Sequence, residues 1–423
     1  MAQLTDDCFA FSGPLMPLDE MERLIAERIA PVAETEMVPL TQARGRVLAA
    51  DVVAPASLPP FDNSAVDGYA VRHADLDPDR ETTLVVAARV MAGHAAGSAV
   101  APGQAIRIFT GAPMPAGADT VFMQEDVRTE GDHVIVPSGL ARGANRRLAG
   151  EDLRAGAVAL PQGRILEAQH VALAAAVGLT QLPVRRRLRV AVFSTGDEVV
   201  EPGAARGGAA IFDANRYLLR EMLTRFGCAI SDLGILRDDR DELAPALQRA
   251  AAGHDLVLTS GGVSTGEADH VRDAVERIGT LVFWRVGIKP GRPVAMGVIP
   301  AGDGESAAFA GLPGNPVAAF VTFVRVVRPV LMRLAGALAP ALTPMPVVAA
   351  FSYAKKQGRR EYVRVSLRHR ADGDYDAIKH PQDGAGVLTS LTQTDGLLEL
   401  PDDMTRLEPG MRVGFLSYAA LMG

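Results

Sequence analysis

The stretch SGGVSTGEAD, residues 260–269, combines a pair of glycines with two acidic side chains in one predicted loop. It follows the apolar run DLVLTS, which favours a short buried β-strand. Backbone amides at Gly261 and Gly262 are open to an anionic ligand because no side chain covers them. Glu267 and Asp269 would repel that anion unless a hard cation such as Mg²⁺ lay between them. The loop therefore predicts a phosphate- or oxyanion-bearing ligand that binds together with a divalent metal.

Other segments with a similar mixture of glycine, proline and charge also follow predicted strands. They are STGDE (194–198), RDD (237–239), IKPGRP (288–293) and GLPGNP (311–316). Strand-end loops of a parallel sheet open on one edge, so we expect these segments to converge. Each also has a structural explanation: GLPGNP is typical of a turn, Asp238 and Asp239 suit the turn before a helix, and Glu267 suits a first helical turn. Their shared position at strand ends favours the functional interpretation.

Three earlier segments carry a comparable set of polar groups. They are PPFDNSAVDGYAVR (59–72), FTGAPMPAGAD (109–119) and NRRLAGEDLRAG (145–156). Turn formation alone explains many such stretches. In the first of them, however, two acids, an amide, a hydroxyl and Tyr69 lie within eight residues. That set suits contact with a metal or a polar ligand equally well.

The first half of the chain shows helical patterns around a β-rich segment. LDEMERLIAERIAP (18–31) and a segment near 167–177 have apolar residues at helical spacing. Residues 57–150 between them combine short alternating runs with many glycines and prolines, which predicts β-structure. The two helical pieces are thus expected to form one domain that a β module interrupts.

The second half shows two further patterns. Beginning at Leu188, strand and helix patterns alternate five times, which predicts a parallel, doubly wound sheet. An Ala/Pro-rich linker follows at 334–346. Beyond it, EYVRVSLRHR predicts a half-buried strand with Val363, Val365 and Leu367 on its buried face. The C-terminal region is therefore expected to be a small β-barrel or sandwich.

Composition excludes several classes of protein. The 423-residue chain has a formal net charge of −7 and only 5% aromatic residues, which disfavours nucleic acid and membrane surfaces as partners. Neither Cys8 nor Cys228 has the spacing of a metal site, and Cys228 suits a small buried side chain. The N-terminus is acidic where a signal peptide is basic, and no apolar run reaches eighteen residues. A soluble cytoplasmic protein is expected.

Taken together, the motifs resemble one family. The motifs occur in the same order as in molybdopterin molybdenumtransferases, a family that includes bacterial MoeA and the C-terminal domain of gephyrin. They are PPFDNSAVDGYA, IFTGAPMPAGADTVFMQED, NRRLAGEDL, STGDEVVEPG, IFDANR, SGGVSTGEAD, IKPGRP and GLPGNPV. The resemblance extends from about residue 16 to the C-terminus. Its most specific parts are the first motif and the combination of SGGVSTGEAD with GLPGNP.

The resemblance implies an α/β plus β fold class in an elongated, multidomain chain. The expected domains are an N-terminal helical domain (1–56 and 148–186), a β-rich insert (57–147), a doubly wound molybdopterin-binding α/β domain (187–334) and a C-terminal β-barrel (335–423). It also implies a homodimer whose substrate cleft lies between the α/β domain of one subunit and the insert of the other.

The same resemblance implies the last step of molybdenum cofactor biosynthesis. Enzymes of this family take adenylylated molybdopterin and molybdate, cleave the adenylate with Mg²⁺ or a similar divalent cation, and leave molybdenum on the dithiolene. The adenylyltransferase that supplies the substrate and the molybdoenzymes that receive the product are candidate protein partners.

Carried over residue by residue, the resemblance assigns the catalytic acids to Asp67, Asp152, Glu198, Asp238 and Asp269. All of these except Asp152 are also expected metal ligands. They would hold the metal and position a water or molybdate oxygen at the phosphoanhydride-type bond.

The resemblance also assigns substrate-binding residues. They are Thr110, Ser260, Gly261, Gly262, Ser264, Lys289, Arg292, Pro313, Asn315 and Arg364. Among them, Lys289, Arg292 and Arg364 are expected to form a basic clamp around the molybdate dianion.

The sequence departs from the family pattern at three positions. Arg285 and Arg292 stand where lysine is usual, and arginine is a planar fork where lysine is a point charge. Ala385 replaces a serine proposed to contact molybdate. One hydrogen bond to a charged group contributes roughly 1.5–3 kcal/mol, so weaker molybdate binding with activity retained is expected.

Two alternative functions remain open at the level of sequence. The α/β domain alone also resembles molybdopterin adenylyltransferases, although the insert and the barrel argue against that activity. A non-catalytic molybdopterin-binding scaffold is the second alternative. The intact acids Asp67, Glu198, Asp238 and Asp269 weigh against a purely structural role.

Overall fold

The computed structural model describes most of the chain. The described residues are 15–31, 34–95, 97, 99–205, 207–237, 239–262, 270–291, 294–302, 304–338 and 341–422. Asp238, Ser264, Asp269 and Arg292 lie outside these ranges, so the roles assigned to them stay predictions.

The described residues form helices and strands throughout the chain. The α-helices are α1 (Leu18–Arg28), α2 (Ala168–Ala176), α3 (Asn215–Arg225), α4 (Arg240–Gly253), α5 (His270–Ile278), α6 (Pro316–Thr322), α7 (Arg328–Leu334), α8 (Thr389–Thr392) and α9 (Tyr418–Met422). A π-helical turn (Phe323–Val327) joins α6 to α7, and single 3₁₀ turns occur at Leu40–Gln42, His73–Asp75 and Gln124–Asp126.

The strands, in chain order, are β1 (Thr35–Pro39), β2 (Val52–Val53), β3 (Asn63–Ser64), β4 (Gly68–Val71), β5 (Thr82–Val90), β6 (Gln104–Ile108), β7 (Thr120–Met123), β8 (Arg128–Glu130), β9 (His133–Val136), β10 (Arg146–Arg147), β11 (Val158–Leu160), β12 (Gln181–Arg185), β13 (Arg189–Thr195), β14 (Val199–Val200), β15 (Ile211–Phe212), β16 (Ala229–Leu236), β17 (Leu256–Ser260), β18 (Thr280–Trp284), β19 (Ile288–Lys289), β20 (Val294–Gly302), β21 (Glu305–Leu312), β22 (Met345–Ala349), β23 (Tyr353–Ala354), β24 (Arg360–His369), β25 (Tyr375–Lys379), β26 (Gly396–Leu400), β27 (Arg406–Leu407) and β28 (Arg412–Ser417).

The two predicted N-terminal helices pack in different places. Helix α1 buries Met21, Leu24 and Ile25 in the core of the α/β domain, where it contacts α7. Helix α2 belongs to a separate small core with β1 and β12, which pair antiparallel. The predicted domain boundaries stay a prediction.

The insert contains a six-stranded sheet in the order β7–β4–β6–β5–β9–β8. Successive side chains of a strand point to opposite faces. Ala70 and Ile106 accordingly pack in a cluster on one face, and Val71 and Ala105 pack in a cluster on the other. The region predicted to be β-rich is therefore a β-sheet with apolar residues buried on both faces.

The entry and exit segments of the insert run side by side. Strand β2 pairs antiparallel with β11, Leu58 bridges Leu153, and β3 pairs antiparallel with β10. We call these paired segments the neck. They connect the insert sheet to the small core that contains α2.

The α/β domain is built on a six-stranded sheet in the order β16–β13–β17–β21–β20–β18. The first four strands are parallel, and the last two are antiparallel to their neighbours. The doubly wound class is confirmed, whereas the alternation of patterns did not predict β20. Only two residues separate β20 from β21, and so short a link joins antiparallel strands, not parallel ones.

Helices cover both faces of this sheet. Leu219 of α3 and Val321 of α6 pack on one face, together with α1. Leu247 of α4 and Val275 of α5 pack on the other face. Covering both faces leaves the strand ends as the open edges of the domain, and ligands of such sheets bind at the carboxyl edge.

The C-terminal region is a closed five-stranded barrel in the order β24–β25–β22–β28–β26, which closes because β26 pairs with β24. Its interior holds Val363 and Val365, as the alternation in β24 predicted. The implied solvent face of that strand is wrong at two positions, since Tyr362 and Arg364 are 3% and 5% exposed. Tyr362 joins the core of the α/β domain because the barrel packs against it. Within the described ranges, no helix is long and apolar enough to cross a membrane.

Candidate active site

Three neighbouring parallel strands end together at the carboxyl edge of the α/β sheet. Strands β13, β17 and β21 end at Thr195, Ser260 and Leu312. The amide of Gly261 donates a hydrogen bond to the carbonyl of Leu312 across 3.0 Å. The structure thus brings together STGDE, the start of SGGVSTGEAD, and GLPGNP.

The turn after β17 has room for a backbone but not for a side chain. Gly261 and Gly262 have φ angles of +90° and +66°, which residues with a side chain rarely adopt. A Cβ added to Gly262 would lie 2.6 Å from Cγ2 of Thr195 and 2.8 Å from Cγ2 of Val271. The turn therefore packs closely against Thr195 and Val271, and because the amide of Gly261 is already bonded to Leu312, its predicted anion-binding role stays a prediction.

Asn215, the first residue of α3, holds two of these loops together. Its Nδ2 donates to Oγ of Ser260 at 2.8 Å and to the carbonyl of Gly314 at 2.7 Å. Ser260 is buried and donates in turn to the carbonyl of Pro313 at 3.1 Å. Asn215 was not among the predicted site residues, although its motif IFDANR is one of those that resemble the family.

A buried ion network fixes the start of α3. Nε of Arg216 donates to Asp213 at 2.8 Å, and its Nη1 donates to Asp232 at 2.6 Å. Burial alone would raise the pKa of Asp232, but hydrogen bonds from Gly234 and Arg216 outweigh it and hold that pKa below its usual range. The network keeps Asn215 in register with the strand ends.

A loop of the C-terminal barrel touches GLPGNP. The amide of Val317, in the first turn of α6, donates to the carbonyl of Ala385 at 3.0 Å. A Cβ on Gly386 would lie 3.3 Å from Oδ1 of Asn315. The residue that departs from the family pattern thus contributes its backbone at this contact, and both Pro313 and Asn315 lie where the barrel meets the sheet edge.

Arg364 supports the same barrel loop from beneath. Its Nη2 donates to the carbonyl of Gln382 at 2.8 Å, and its buried Nε has no hydrogen-bond partner among the described residues. Burial lowers the pKa of Arg364 from its ordinary value. An arginine held this way adds positive charge close to GLPGNP, and its predicted contact with molybdate stays a prediction.

Lys289 of IKPGRP lies against the barrel. Strand β19 pairs with β24, and Nζ of Lys289 donates to Oε2 of Glu361 at 3.0 Å. Glu361 and Arg364 are an odd number of residues apart on β24, so their side chains lie on opposite faces of that strand. Arg292 lies outside the described residues, so the predicted clamp of Lys289, Arg292 and Arg364 stays a prediction.

The buried carboxylate of Glu361 should matter for stability. Replacing Glu361 by Gln is expected to lower the free energy of unfolding by about 1–3 kcal/mol at pH 7, because charged hydrogen bonds from Lys289 and Arg359 are weakened. Burial opposes its ionisation, but these bonds lower the pKa of Glu361 and raise that of Lys289. Urea unfolding followed by circular dichroism measures the loss.

The pH dependence of that loss follows from the two shifts. A carboxyl group whose pKa is lowered by folding stabilises the folded protein at pH values above its unfolded pKa of about 4.3. A lysine whose pKa is raised by folding stabilises the folded protein at pH values below its unfolded pKa of about 10.4. The difference between Glu361→Gln and the natural protein should therefore hold between these limits and shrink below pH 4. Glu408→Gln, at a more exposed barrel position, is the control, and an equal loss in both variants would contradict the expectation.

Asp67 and Thr110, both on the insert, are joined by hydrogen bonds. The amide and the hydroxyl of Thr110 each donate to Oδ1 of Asp67 at 2.8 Å. These bonds lower the pKa of Asp67, so the half-buried carboxylate is ionised at neutral pH. The next residue, Gly68, has no space for a side chain, since its Cβ would lie 1.8 Å from the carbonyl oxygen of Phe122.

The other acids of the first motifs have different surroundings. Asp62 accepts a hydrogen bond from the amide of Ala149 at 2.7 Å and pairs with Arg146, which ties the first motif to NRRLAGEDL. Asp152 lies in the neck with its amide bonded to the carbonyl of Leu58 at 3.1 Å and its side chain exposed. Asp62 is therefore a structural link, and Asp152 is free to meet solvent or a ligand.

The structure also shows where two acidic residues of the α/β domain lie. Glu198 is exposed, and its Oε2 lies 2.8 Å from the position of a Cβ on Gly196, so the carboxylate folds over the strand end. Asp239 caps α4 by accepting hydrogen bonds from the amides of Asp241 at 2.8 Å and Glu242 at 3.1 Å. The structural alternative for RDD is therefore correct for Asp239.

The described residues of one chain do not include a complete metal site. Within the described ranges, no three His, Cys, Asp or Glu side chains lie close enough to hold a metal ion. Asp67 lies on the insert and Glu198 on the α/β domain, and the predicted ligands Asp238 and Asp269 lie outside the described residues.

Comparison with known proteins explains this combination of parts. The molybdopterin molybdenumtransferase of Haemophilus influenzae is 35% identical over 97% of this chain and 100% of its own length. Residues 16–178 match the MoeA N-terminal region (domain I and II), residues 191–333 a probable molybdopterin binding domain, and residues 346–418 the MoeA C-terminal region (domain IV). The chain belongs to the molybdopterin molybdenumtransferase (MoeA) family. It is an enzyme of that family, and the resemblance seen in its motifs is confirmed.

Further members of the MoeA family agree in sequence and in structure. The molybdopterin molybdenumtransferase of a Nostoc species is 38% identical over 90% of this chain and 88% of its own length. The crystal structure of the molybdopterin biosynthesis MoeA protein from Pyrococcus horikoshii OT3 superposes with a TM-score of 0.80 at 32% identity, covering 96% of this chain and 100% of that chain. The multidomain MoeA fold is thus shared over nearly the whole length.

Proposed function

We propose that this chain inserts molybdenum from molybdate into adenylylated molybdopterin, with Mg²⁺-dependent release of AMP, as the last step of molybdenum cofactor biosynthesis. The main structural support is the convergence of the glycine-containing segments SGG and GLPGNP at the carboxyl edge of the sheet, where Asn215 holds them together. Successive amides in such a turn form a concave site for anions. The phosphate of the substrate is the group that this edge suits best.

The proposed metal ligands are carboxylates, Asp67, Glu198, Asp238 and Asp269. Hard oxygen donors of this kind suit Mg²⁺. When bound, the metal supplies charge neutralisation at the phosphoryl oxygens. Asp67 is positioned for such a role because Thr110 occupies only one of its two oxygens, Oδ1.

The remaining residues act on the substrate directly. The turn at Gly261 and Gly262 would hold the phosphate, and Arg364 would add positive charge for molybdate from the barrel side. In the reaction, an oxygen of water or molybdate attacks the adenylate phosphorus while the bond from that phosphorus to the molybdopterin phosphate breaks. Attack by water gives AMP directly, and attack by molybdate gives a mixed anhydride that water splits into AMP and molybdate. The two dithiolene thiols of the released molybdopterin then bind molybdate, and two Mo–S bonds form as the thiol protons and one oxo ligand leave as water.

The proposed activity is tested with purified protein and adenylylated molybdopterin. We expect AMP release, measured by chromatography, only when molybdate and a divalent cation are both present, and EDTA should stop it. The molybdenum content of the pterin should rise in parallel with AMP. Binding of the substrate without any AMP release would contradict catalysis and favour the scaffold alternative.

A second incubation separates the adenylyltransferase alternative. With ATP and molybdopterin but no adenylylated substrate, the proposed enzyme should form no adenylylated product. Formation of that product would favour adenylyl transfer. The nearly full-length similarity to molybdopterin molybdenumtransferases, including insert and barrel, supports molybdenum transfer instead.

A cytoplasmic homodimer completes the proposal. In this dimer, Asp67 on the insert of one subunit and Glu198 on the α/β domain of the other would meet at the shared site. The supplying adenylyltransferase and recipient molybdoenzymes are the protein partners we propose for handing on the cofactor.

A further inference from the structure

A cavity of about 530 Å³ lies at the opposite edge of the α/β sheet from the candidate active site. Its wall includes Leu188 and Cys228, which directly precede β13 and β16. The candidate site lies beyond the other end of β13. That strand has seven residues, and each adds roughly 3.3 Å, so the two regions are about 20 Å apart. The cavity is therefore a separate feature of the domain.

Arginines dominate the charge of the cavity. Seven of them line it: Arg46, Arg164, Arg185, Arg186, Arg187, Arg225 and Arg328. Glu167 is the one carboxylate among the described lining residues. Outside the wall, Glu36 pairs with Arg46, and Asp255 pairs with Arg186 at 2.7 Å. The lining keeps a clear excess of positive charge.

Arg328, the first residue of α7, and Arg46 are the buried members of this set, and Arg46 is paired with Glu36. Arg328 is 6% exposed, and its buried Nε has no hydrogen-bond partner among the described residues. The guanidinium lies 6.0 Å from the centre of the Phe226 ring. Glu22 is the nearest source of opposite charge but already accepts from Arg325 at 3.3 Å. Because a buried cation without a partner is strongly unfavourable, a bound anion would account for its retention.

The rest of the wall is apolar. Leu188, Phe226, Leu331, Met332 and Leu338 face the cavity. Burial raises the pKa of the Cys228 thiol to about 12, so this side chain adds apolar surface and not a thiolate. An inorganic anion would leave this wall uncovered, and the volume lies within the range of small-molecule sites.

We propose that this cavity binds an organic phosphate of mononucleotide size. Its phosphate lies against Arg328, and its apolar or heterocyclic body lies against Leu331 and Met332 of α7. Arginine suits this task because its planar fork matches the oxygens of a phosphate. The ligand occupies the amino edge of the sheet and leaves the carboxyl edge open to the substrate of the enzyme.

The test uses the full chain with AMP, adenosine and inorganic phosphate as probes, without molybdate or divalent metal. Calorimetry measures affinity, and hydrogen exchange locates the contact. We expect AMP to protect peptides that cover residues 225–228 and 328–338, with adenosine and inorganic phosphate binding at least tenfold more weakly there. Arg328→Met should weaken AMP binding at this location at least tenfold, whereas Arg80→Met, at an exposed position on the insert, should leave AMP binding unchanged.

Thermal unfolding separates binding from a structural role. Without AMP, Arg328→Met should raise the Tm, since it removes a buried unpaired charge. A lower Tm together with unchanged AMP binding would overturn the proposal. Protection confined to the strand ends at 260–262 and 311–317 would also overturn it. The proposal would also be overturned if AMP did not bind and Arg328→Met changed self-association of the chain tenfold. In that case a second copy of the chain would fill the cavity.

Discussion

Asp67→Asn should lower the rate of AMP release on the order of a hundredfold or more, while the protein stays folded. The carboxylate is held by two hydrogen bonds from Thr110, both 2.8 Å long, and these lower its pKa. Asn keeps the shape but removes the charge that the proposed metal requires. Because the side chain is only half-buried and Asn has the same shape, the Tm should change little. Chromatographic AMP release and thermal unfolding measure the two effects.

A matched control lies on the same insert. Asp77 is exposed, and its Oδ1 accepts hydrogen bonds from the backbone amides of Asp79 at 2.9 Å and Arg80 at 3.1 Å. Asp77→Asn removes the same charge from the same domain outside the candidate site, so AMP release should stay near that of the natural protein. Full activity of Asp67→Asn would remove this residue from the catalytic set. Equal losses in both variants would mean that the insert responds to charge in general.

Asn215→Asp should weaken binding of adenylylated molybdopterin on the order of a hundredfold. Two hydrogen bonds from Nδ2, to Ser260 and to Gly314, are lost, and each contributes about 0.5–1.5 kcal/mol. The new carboxylate also faces a carbonyl oxygen and the anionic substrate. A tenfold change in affinity corresponds to about 1.4 kcal/mol, so the combined effect reaches the expected range. Calorimetry with the substrate in the absence of molybdate measures it.

Asn215→Ala separates the two contributions. It loses the same hydrogen bonds but adds no charge, so affinity should fall only about tenfold. The additional loss in Asn215→Asp is electrostatic and should shrink as salt is raised from low concentration to 0.5 M. If the two variants bind equally at low salt, no anion lies close to Asn215, and the proposed position of the phosphate is wrong.

The strand-end part of the candidate site could be predicted because local patterns determine it. Strands that alternate with helices run parallel, and parallel strands end at one edge, so SGG and GLPGNP were expected at the same edge of the sheet. The two glycines of the first turn likewise follow from backbone geometry, since their positive φ angles exclude most side chains.

Contacts between residues that are far apart in the chain could not be predicted from local sequence patterns. Asn215 reaches the carbonyl of Gly314, 99 residues away, and a single asparagine at a helix start gives no sign of it. Lys289 donates to Glu361 of the barrel, 72 residues away, and no sequence pattern indicated this contact, while its predicted role at molybdate stays a prediction. Strand β20 was missed because the pattern sought a helix between strands, whereas a two-residue link precedes β21.

Burial of polar positions was the other gap. An alternating pattern separates the two faces of β24, but it does not tell what covers the polar face. Tyr362 and Arg364 are buried because the barrel packs on the α/β domain, and that contact depends on the arrangement of two domains. Predicting it requires knowledge of how the barrel and the sheet meet.

The neck makes the insert a module that could be removed without disturbing the domain that carries it. Since β2 and β11 already lie side by side, their facing ends are only about 5 Å apart, the usual spacing of an antiparallel pair. Excising everything between Val53 and Val158 would leave a gap that a two-residue turn closes as an ordinary hairpin. The host core, which includes Val38, Leu48 and Leu182, draws its apolar residues from outside the excised part. Gain or loss of the whole module during evolution would thus require no rebuilding of the host.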